Sequence, residues 1–141
     1  MSERDLERIP AGNIRVPVRE FGLLWQSAED RAREQSDRGV TDWAAGEVAA
    51  TCRWLARAST EFPKGTLRPQ SSPIRRISAL AYEELIEAEY LSAETVAART
   101  PPAPLVASRP GYVEAVRQTL GWAWRGWAAC PDLGDLTCPT G

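Results

Sequence analysis

The chain has 141 residues, with 17 basic and 19 acidic side chains, a formal net charge of −2, no histidine and six tryptophans. A domain of this length buries about two thirds of the surface that its unfolded chain exposes, so its core can form without metals or disulfides. The absence of histidine counts against the commonest general bases and zinc sites. The slightly negative charge counts against a protein whose whole surface attracts nucleic acid or membranes.

The N-terminal segment is charged from Glu3 onward and lacks the apolar run that a signal peptide needs. No stretch approaches the ~18 consecutive apolar residues of a membrane span. We therefore expect a cytoplasmic protein without a membrane partner, and the preference for Arg over Lys is typical of a GC-rich bacterial genome. The expected organisation is a flexible arm over residues 1–17, one helical domain over residues 18–129 and a flexible tail over residues 130–141.

The first two helices are predicted from apolar residues that recur at spacings of three and four. The first helix should run from Val18 to about Arg38, where Gly39 supplies a left-handed C-terminal cap. Thr41 is a good N-cap, so the second helix should run from Thr41 to about Ser59. This second helix is apolar over a wide arc, and we expect it to lie centrally in the fold.

Residues 60–72 break the helical pattern with two prolines and a glycine. The stretch is too long for a tight connection and too polar for a core, so we expect a loop that carries function. Ser72 followed by Pro73 is typical of a helix start and predicts a third helix that persists at least to Leu91.

A fourth helix is predicted from Pro110, because large apolar residues then recur on one side of a helical wheel. Its predicted buried residues are Val113, Val116, Leu120, Trp124 and Trp127. The fold class that follows is all-α, as an irregular four-helix bundle with a long loop between helices 2 and 3 and essentially no sheet.

Four basic residues with no acid between them occupy the long loop and the predicted start of the third helix. They are Lys64, Arg68, Arg75 and Arg76. Free N–H groups at a helix N-terminus, together with two guanidinium groups, suit phosphate or the carboxylates of a partner, so this is a candidate anion-binding or partner-binding site. In the alternative that we prefer, the two adjacent arginines pair with acids of a neighbouring helix or are solvated.

Three of the tryptophans lie close together, within residues 121–127. On an ideal helix Trp124 and Trp127 share the buried face, whereas Trp122 points away from Trp124. We expect Trp124 and Trp127 to be structural, and Trp122 with Arg125 to form an exposed anchor for another subunit or protein. The alternative places all three rings in the core.

Two further patterns leave other functions open. Glu84 and Glu87, with Glu34 and Asp37, resemble the paired acids that hold magnesium in all-α nucleotide pyrophosphohydrolases, although we prefer a solvated acidic face. Residues 90–99 resemble the first helix of bacterial helix-turn-helix regulators. The prolines that follow stand where the turn and the recognition helix would be needed.

The cysteines and the remaining motifs do not indicate a catalytic centre. Cys52 falls on an apolar helical face, and we expect it to pack as a small hydrophobe. Cys130 and Cys138 are expected to be unpaired thiols, with a disulfide or a metal site as the alternatives. No phosphate loop, zinc spacing or cofactor fingerprint is present, so we expect no cofactor and no metal.

These features favour binding over catalysis. We expect a small cytoplasmic all-α interaction protein, an accessory or regulatory subunit that docks onto a protein partner or self-associates. The alternative is a nucleic-acid-binding regulator that uses the Arg-rich loop. The second alternative is a carboxylate- and metal-dependent enzyme.

Overall fold

The structure, a computed structural model, describes residues 1–62 and 66–133, and for residues 60–62 and 66–69 it describes the backbone alone. In this part of the chain the helices are α1 (Glu3–Glu7), α2 (Val18–Asp37), α3 (Trp43–Leu55), α4 (Glu83–Ala97), α5 (Pro104–Ser108) and α6 (Tyr112–Leu120), which a π-helical turn (Gly121–Arg125) continues. The predicted all-α class is confirmed. A two-stranded antiparallel hairpin, β1 (Ser59–Phe62) and β2 (Thr66–Pro69), lies where the sequence predicted a loop without sheet.

Helices α2 and α3 pack against each other through the apolar faces that the sequence predicted. Phe21 and Trp25 of α2 are buried, as are Val48 and Cys52 of α3. Asp42, which caps α3 by accepting the N–H of Ala45 at 2.9 Å, also pairs with Arg31 of α2 at 3.0 Å. No helix in the described ranges is long and apolar enough to cross a membrane.

The third long helix begins much later than Ser72, because the single turn that follows Ser72 ends at Arg76. The hydroxyl of Ser72 accepts the N–H of Ile77 at 2.7 Å, and the N–H of Arg75 donates to Glu89 at 2.9 Å. Arg76 has a φ of 58°, in the left-handed region that a right-handed helix excludes. Residues 72–82 therefore form a folded loop, and α4 starts at Glu83.

Helix α6 lies between α3 and α4 and contacts both. Its N-cap is Gly111, whose φ of 84° is strained for any other residue. A Cβ atom at this position would lie 3.2 Å from the Cβ atom of Ala44. This close approach brings the start of α6 to the first turns of α3, where the candidate site is found.

The first residues of the chain, where the sequence predicts a flexible arm, contact the rest of the fold. Helix α1 carries a capping box between Ser2 and Asp5. The buried amide of Asn13 donates to the carbonyl oxygens of Leu55 at 2.7 Å and Ala81 at 3.2 Å. These bonds fix the segment before α2 to the end of α3.

The chain after α6 also contacts the core as far as it is described. Leu133 is buried in the hydrophobic core, and the rest of the predicted tail lies outside the described residues. Cys130 is disulfide-bonded, so the expectation of an unpaired thiol is wrong at this position. Cys138 lies outside the described residues, and Cys52 is free and buried as predicted.

Candidate anion-binding pocket

The four predicted cationic residues do not form one site in the described structure. Lys64 lies outside the described residues, and Arg68 is placed only by its backbone in β2, opposite Thr60. Arg75 binds the fully buried carboxylate of Glu89 through its backbone N–H and through Nε, which lies 3.4 Å from the carboxylate. Arg75 therefore pairs with an acid of a neighbouring helix, which is the alternative that the sequence favoured for the two adjacent arginines.

Arg76 instead lines a pocket of about 310 Å³ between α2, α3 and the start of α6. Its left-handed backbone costs a non-glycine residue roughly 1–2 kcal/mol. Backbone strain of this kind concentrates at functional sites, where the fold holds a side chain in a particular place. The strain therefore points to Arg76 as the member of the basic cluster with a functional role.

A second guanidinium, that of Arg109, lines the same pocket. Its Cζ atom lies 5.0 Å from the ring centroid of Trp43 and 5.4 Å from that of Tyr112, so two aromatic rings hold it by cation–π contacts. Within the described part of the chain, neither Arg76 nor Arg109 forms an ion pair with a carboxylate. Both charges are therefore available to a ligand.

Glu47 forms the buried wall of the pocket, with 6 % of its surface exposed. The hydroxyl of Thr51 donates to its carboxylate over a long distance of 3.4 Å. Burial raises the pKa of Glu47 to about 8, against the opposing effects of Tyr112, Arg76, Thr51 and Arg109. Below this pKa the carboxyl carries a proton and can donate a hydrogen bond.

Tyr112 connects two of the segments that line the pocket. Its hydroxyl donates to the backbone oxygen of Pro73 at 2.7 Å, which fixes the loop that carries Arg76 to α6. Burial, with the nearby Glu47 carboxyl, raises the pKa of Tyr112 to about 12, so the phenol keeps its proton. The pocket thus presents two cations and a carboxylic acid against an aromatic wall, which is a set of groups for binding an anion.

Sequence reasoning identified Arg76 and missed the rest of the pocket. A usable signal existed for Glu47, which is the one acid within the otherwise apolar helix α3. No local pattern marks Arg109, because it meets Trp43 only in the folded chain. In the described part of the chain no group of three or more His, Cys, Asp or Glu residues is placed to hold a metal, so the acids considered above as magnesium ligands do not converge.

The tryptophans are arranged differently from the prediction. Trp122 is 8 % exposed and Trp124 is 1 % exposed, whereas Trp127 is 67 % exposed. The expectation of an exposed Trp122 and a buried Trp127 is therefore wrong. Trp122 and Trp124 lie on opposite sides of the helix and are both buried, so core surrounds this helix end on two sides. Gly126, whose φ of 71° ends the helix, takes Trp127 off the buried face.

Trp127 nevertheless has a defined environment at the surface. Its ring centroid lies 5.8 Å from that of Tyr90 and 6.2 Å from that of Trp124. The Cζ atom of Arg125 lies 4.0 Å from the Trp124 ring centroid and 5.5 Å from that of Trp127. We call the surface formed by these four residues the Trp127 edge.

No protein-family model, no curated protein and no solved structure matches this chain. The pocket and the Trp127 edge are therefore the features from which a function can be proposed.

Proposed function

We propose that this protein binds a small anion in the pocket formed by Glu47, Arg76 and Arg109. The observation that carries the proposal is the pair of guanidinium groups, which have no carboxylate partner among the described residues. Guanidinium groups bind carboxylate and phosphate oxygens by charge-assisted hydrogen bonds. The pocket thus offers the donors that an anionic ligand needs.

The charge balance of the pocket supports the same function. Burial raises the pKa of Glu47 to about 8, so below that pH Glu47 adds a donor without cancelling a positive charge. Asp42, the other acid at the pocket, is already bound to Arg31 and to the first turn of α3. The pocket is therefore locally rich in basic charge, with two guanidinium groups in its lining, although the whole chain is slightly negative.

The size of the pocket favours a small molecule. Its volume of about 310 Å³ is at the lower end of the ~300–1,000 Å³ typical of ligand pockets. A nucleic-acid interface instead needs several exposed cations along one surface. The guanidinium of Arg75 is paired with Glu89, so it does not contribute a free cation to such a surface. No specific observation favours the nucleic-acid-binding alternative.

The proposal can be tested by calorimetry and thermal unfolding with acetate, benzoate and inorganic phosphate. We expect at least one of these anions to bind, and a concentration of 100 times Kd to add about 2.7 kcal/mol to the free energy of unfolding. Arg76→Gln and Arg109→Gln should each weaken binding. The matched control is Arg8→Gln, which removes an exposed arginine far from the pocket in sequence and should leave binding unchanged.

A result in which none of the three anions binds at millimolar concentration would contradict the proposal. Equal binding by the wild type and the double variant Arg76→Gln/Arg109→Gln would also contradict it, because the anion would then occupy another site.

The second candidate function is the one that the sequence favoured, a small cytoplasmic interaction protein that works as an accessory or regulatory subunit. The supporting observation is Trp127, a large aromatic residue that is two thirds exposed and held by neighbouring rings. Exposed aromatic residues next to arginine are typical of interface anchors. In this proposal Trp127 takes the role assigned above to Trp122, and Arg125 keeps its role.

Self-association is the form of this second candidate that is simplest to test. Light scattering over a range of protein concentrations should show a dimer that Trp127→Ala converts to a monomer. A wild-type mass that stays monomeric at high concentration would contradict self-association.

A further inference from the structure

A second pocket lies against the first. Its volume is about 360 Å³, and it shares Arg76, Arg109 and Tyr112 with the anion-binding pocket. These three residues therefore stand between two neighbouring spaces. A ligand held at the guanidinium groups has one space on the side of Glu47 and another on the opposite side.

The second pocket differs from the first in its chemistry. Apart from the three shared residues and Ser108, it is lined by apolar side chains, those of Pro73, Ile74, Pro104 and Leu105. No acid lines it. Such a surface can bury the hydrocarbon part of a ligand, but it offers no partner to a second charge on that ligand.

From this juxtaposition we infer that the ligand is an organic monocarboxylate, which places its carboxylate at Arg76 and Arg109 and its apolar body in the second pocket. The inference rests on the proposed function and specifies the ligand class of the same site. The Tyr112 ring, which lines both pockets, is the surface along which the apolar body passes from one to the other.

The second pocket explains why one negative charge is preferred to two. A charge at the far end of the ligand would lie among the apolar side chains of this pocket, away from both guanidinium groups. Dicarboxylates should therefore bind less well than a monocarboxylate of matching length.

The same geometry makes binding depend on pH. The charged and titratable groups around Glu47 are Tyr112 of α6, Arg76 of the loop before α4, Arg109 at the end of α5 and Asp42, the N-cap of α3. Burial raises the pKa of Glu47 to about 8, so Glu47 changes its charge just above neutral pH. When Glu47 ionises it repels the carboxylate, and binding should weaken as the pH rises through this transition.

The test is a calorimetric series with acetate, butanoate, hexanoate and octanoate, compared with succinate and inorganic phosphate. Each methylene that enters the second pocket should tighten binding by about threefold to fourfold until the pocket is filled. Leu105→Ser should reduce this gain with chain length. Leu91→Ser is the control, because Leu91 is exposed and lines neither pocket.

The outcomes separate the inference from the proposed function. If acetate or phosphate binds through Arg76 and Arg109 while chain length has no effect, the inference is wrong and the proposed function stands. If no anion of the series binds, the proposed function fails as well. Succinate binding as tightly as butanoate would contradict the preference for a single charge.

Glu47→Gln supplies an independent measurement that a purely structural role would not affect. The amide cannot ionise, so the variant should bind hexanoate equally at pH 6.5 and pH 9.5, whereas the wild type should bind at least tenfold more weakly at the higher pH. Parallel pH profiles for the two proteins would contradict the placement of Glu47 against the carboxylate.

Discussion

The Nε atom of Arg75 lies 3.4 Å from a carboxylate oxygen of Glu89, and the same carboxylate accepts the backbone N–H of Arg75 at 2.9 Å. Glu89 is fully buried, so this residue of α4 holds the loop before α4 by both charge and hydrogen bonding. The next residue of that loop, Arg76, is thereby positioned at the anion-binding pocket. One buried contact thus connects the folding of residues 72–82 with the proposed site.

The first prediction follows from this contact. Glu89→Ala should destabilise the fold by about 3–5 kcal/mol, because it removes a buried ion-pair partner and leaves the Arg75 N–H without its acceptor. Glu89→Gln should cost less, since the amide oxygen can still accept that N–H. Urea unfolding measures both variants. The control is Glu87→Ala, because Glu87 is an exposed residue of the same helix, and this change should lower the free energy of unfolding by about 0.5 kcal/mol or less. Equal losses for the Ala and Gln variants would show that the backbone hydrogen bond contributes little.

The second prediction concerns the pH dependence of stability in buffer without a binding anion. The folded-state pKa of Glu47, about 8, exceeds its usual value of 4.5, so the folded state binds the proton more tightly than the unfolded state. The free energy of unfolding should therefore fall between pH 4.5 and pH 8, by about 1.4 kcal/mol per pH unit from this group, and then level off.

Glu47→Gln removes that fall, because the amide does not titrate. The variant should resemble the wild type near pH 4.5 and become increasingly more stable than it up to about pH 8. Urea unfolding at several pH values gives the difference directly, with the exposed Glu87→Gln as the control. A difference that does not change with pH would show that Glu47 is ionised in the folded protein throughout.

The third prediction concerns Gly111, the left-handed N-cap of α6. Gly111→Ala should destabilise the fold by roughly 1–2 kcal/mol, because an alanine resists the φ of 84° and its Cβ atom would press on Ala44. Since α6 carries Tyr112 to the pocket, Arg76-dependent anion binding should weaken together with stability. Gly126→Ala is the matched control, with a similar φ of 71° and open space around the position. It should lose stability without affecting anion binding.

Local sequence patterns predicted those parts of the fold that depend on local interactions. Helices α2 and α3 follow apolar periodicity, and their caps lie within a few residues of the expected positions. The predicted helix start at Ser72 was wrong because Arg76 has a left-handed φ of 58°, in a loop that Glu89, far along the chain, binds through Arg75. A contact between residues that are distant in sequence has no local signature.

The candidate site was predictable to a similar extent. Arg76 belonged to a visible basic cluster, but the difference between its role and that of Arg75 depends on one backbone dihedral angle and on the position of Glu89. The error at Trp122 arose because a helical wheel was assumed to have core on one side only, whereas this helix end is buried on two sides. The error at Trp127 arose because the wheel was extended past Gly126, where the helix ends.

The last prediction separates the tryptophans of that segment. Trp124→Ala should cost roughly 3–5 kcal/mol through the cavity that it leaves, and Trp122→Ala should also destabilise, because both rings are buried. Trp127→Ala should change the free energy of unfolding by less than about 1 kcal/mol, since the side chain is largely exposed. If the Trp127 edge is an interface, the same variant should lose association in light scattering while anion binding is retained. A Trp127→Ala protein that unfolds as readily as Trp124→Ala would instead place Trp127 in the core and remove the main support for that interface.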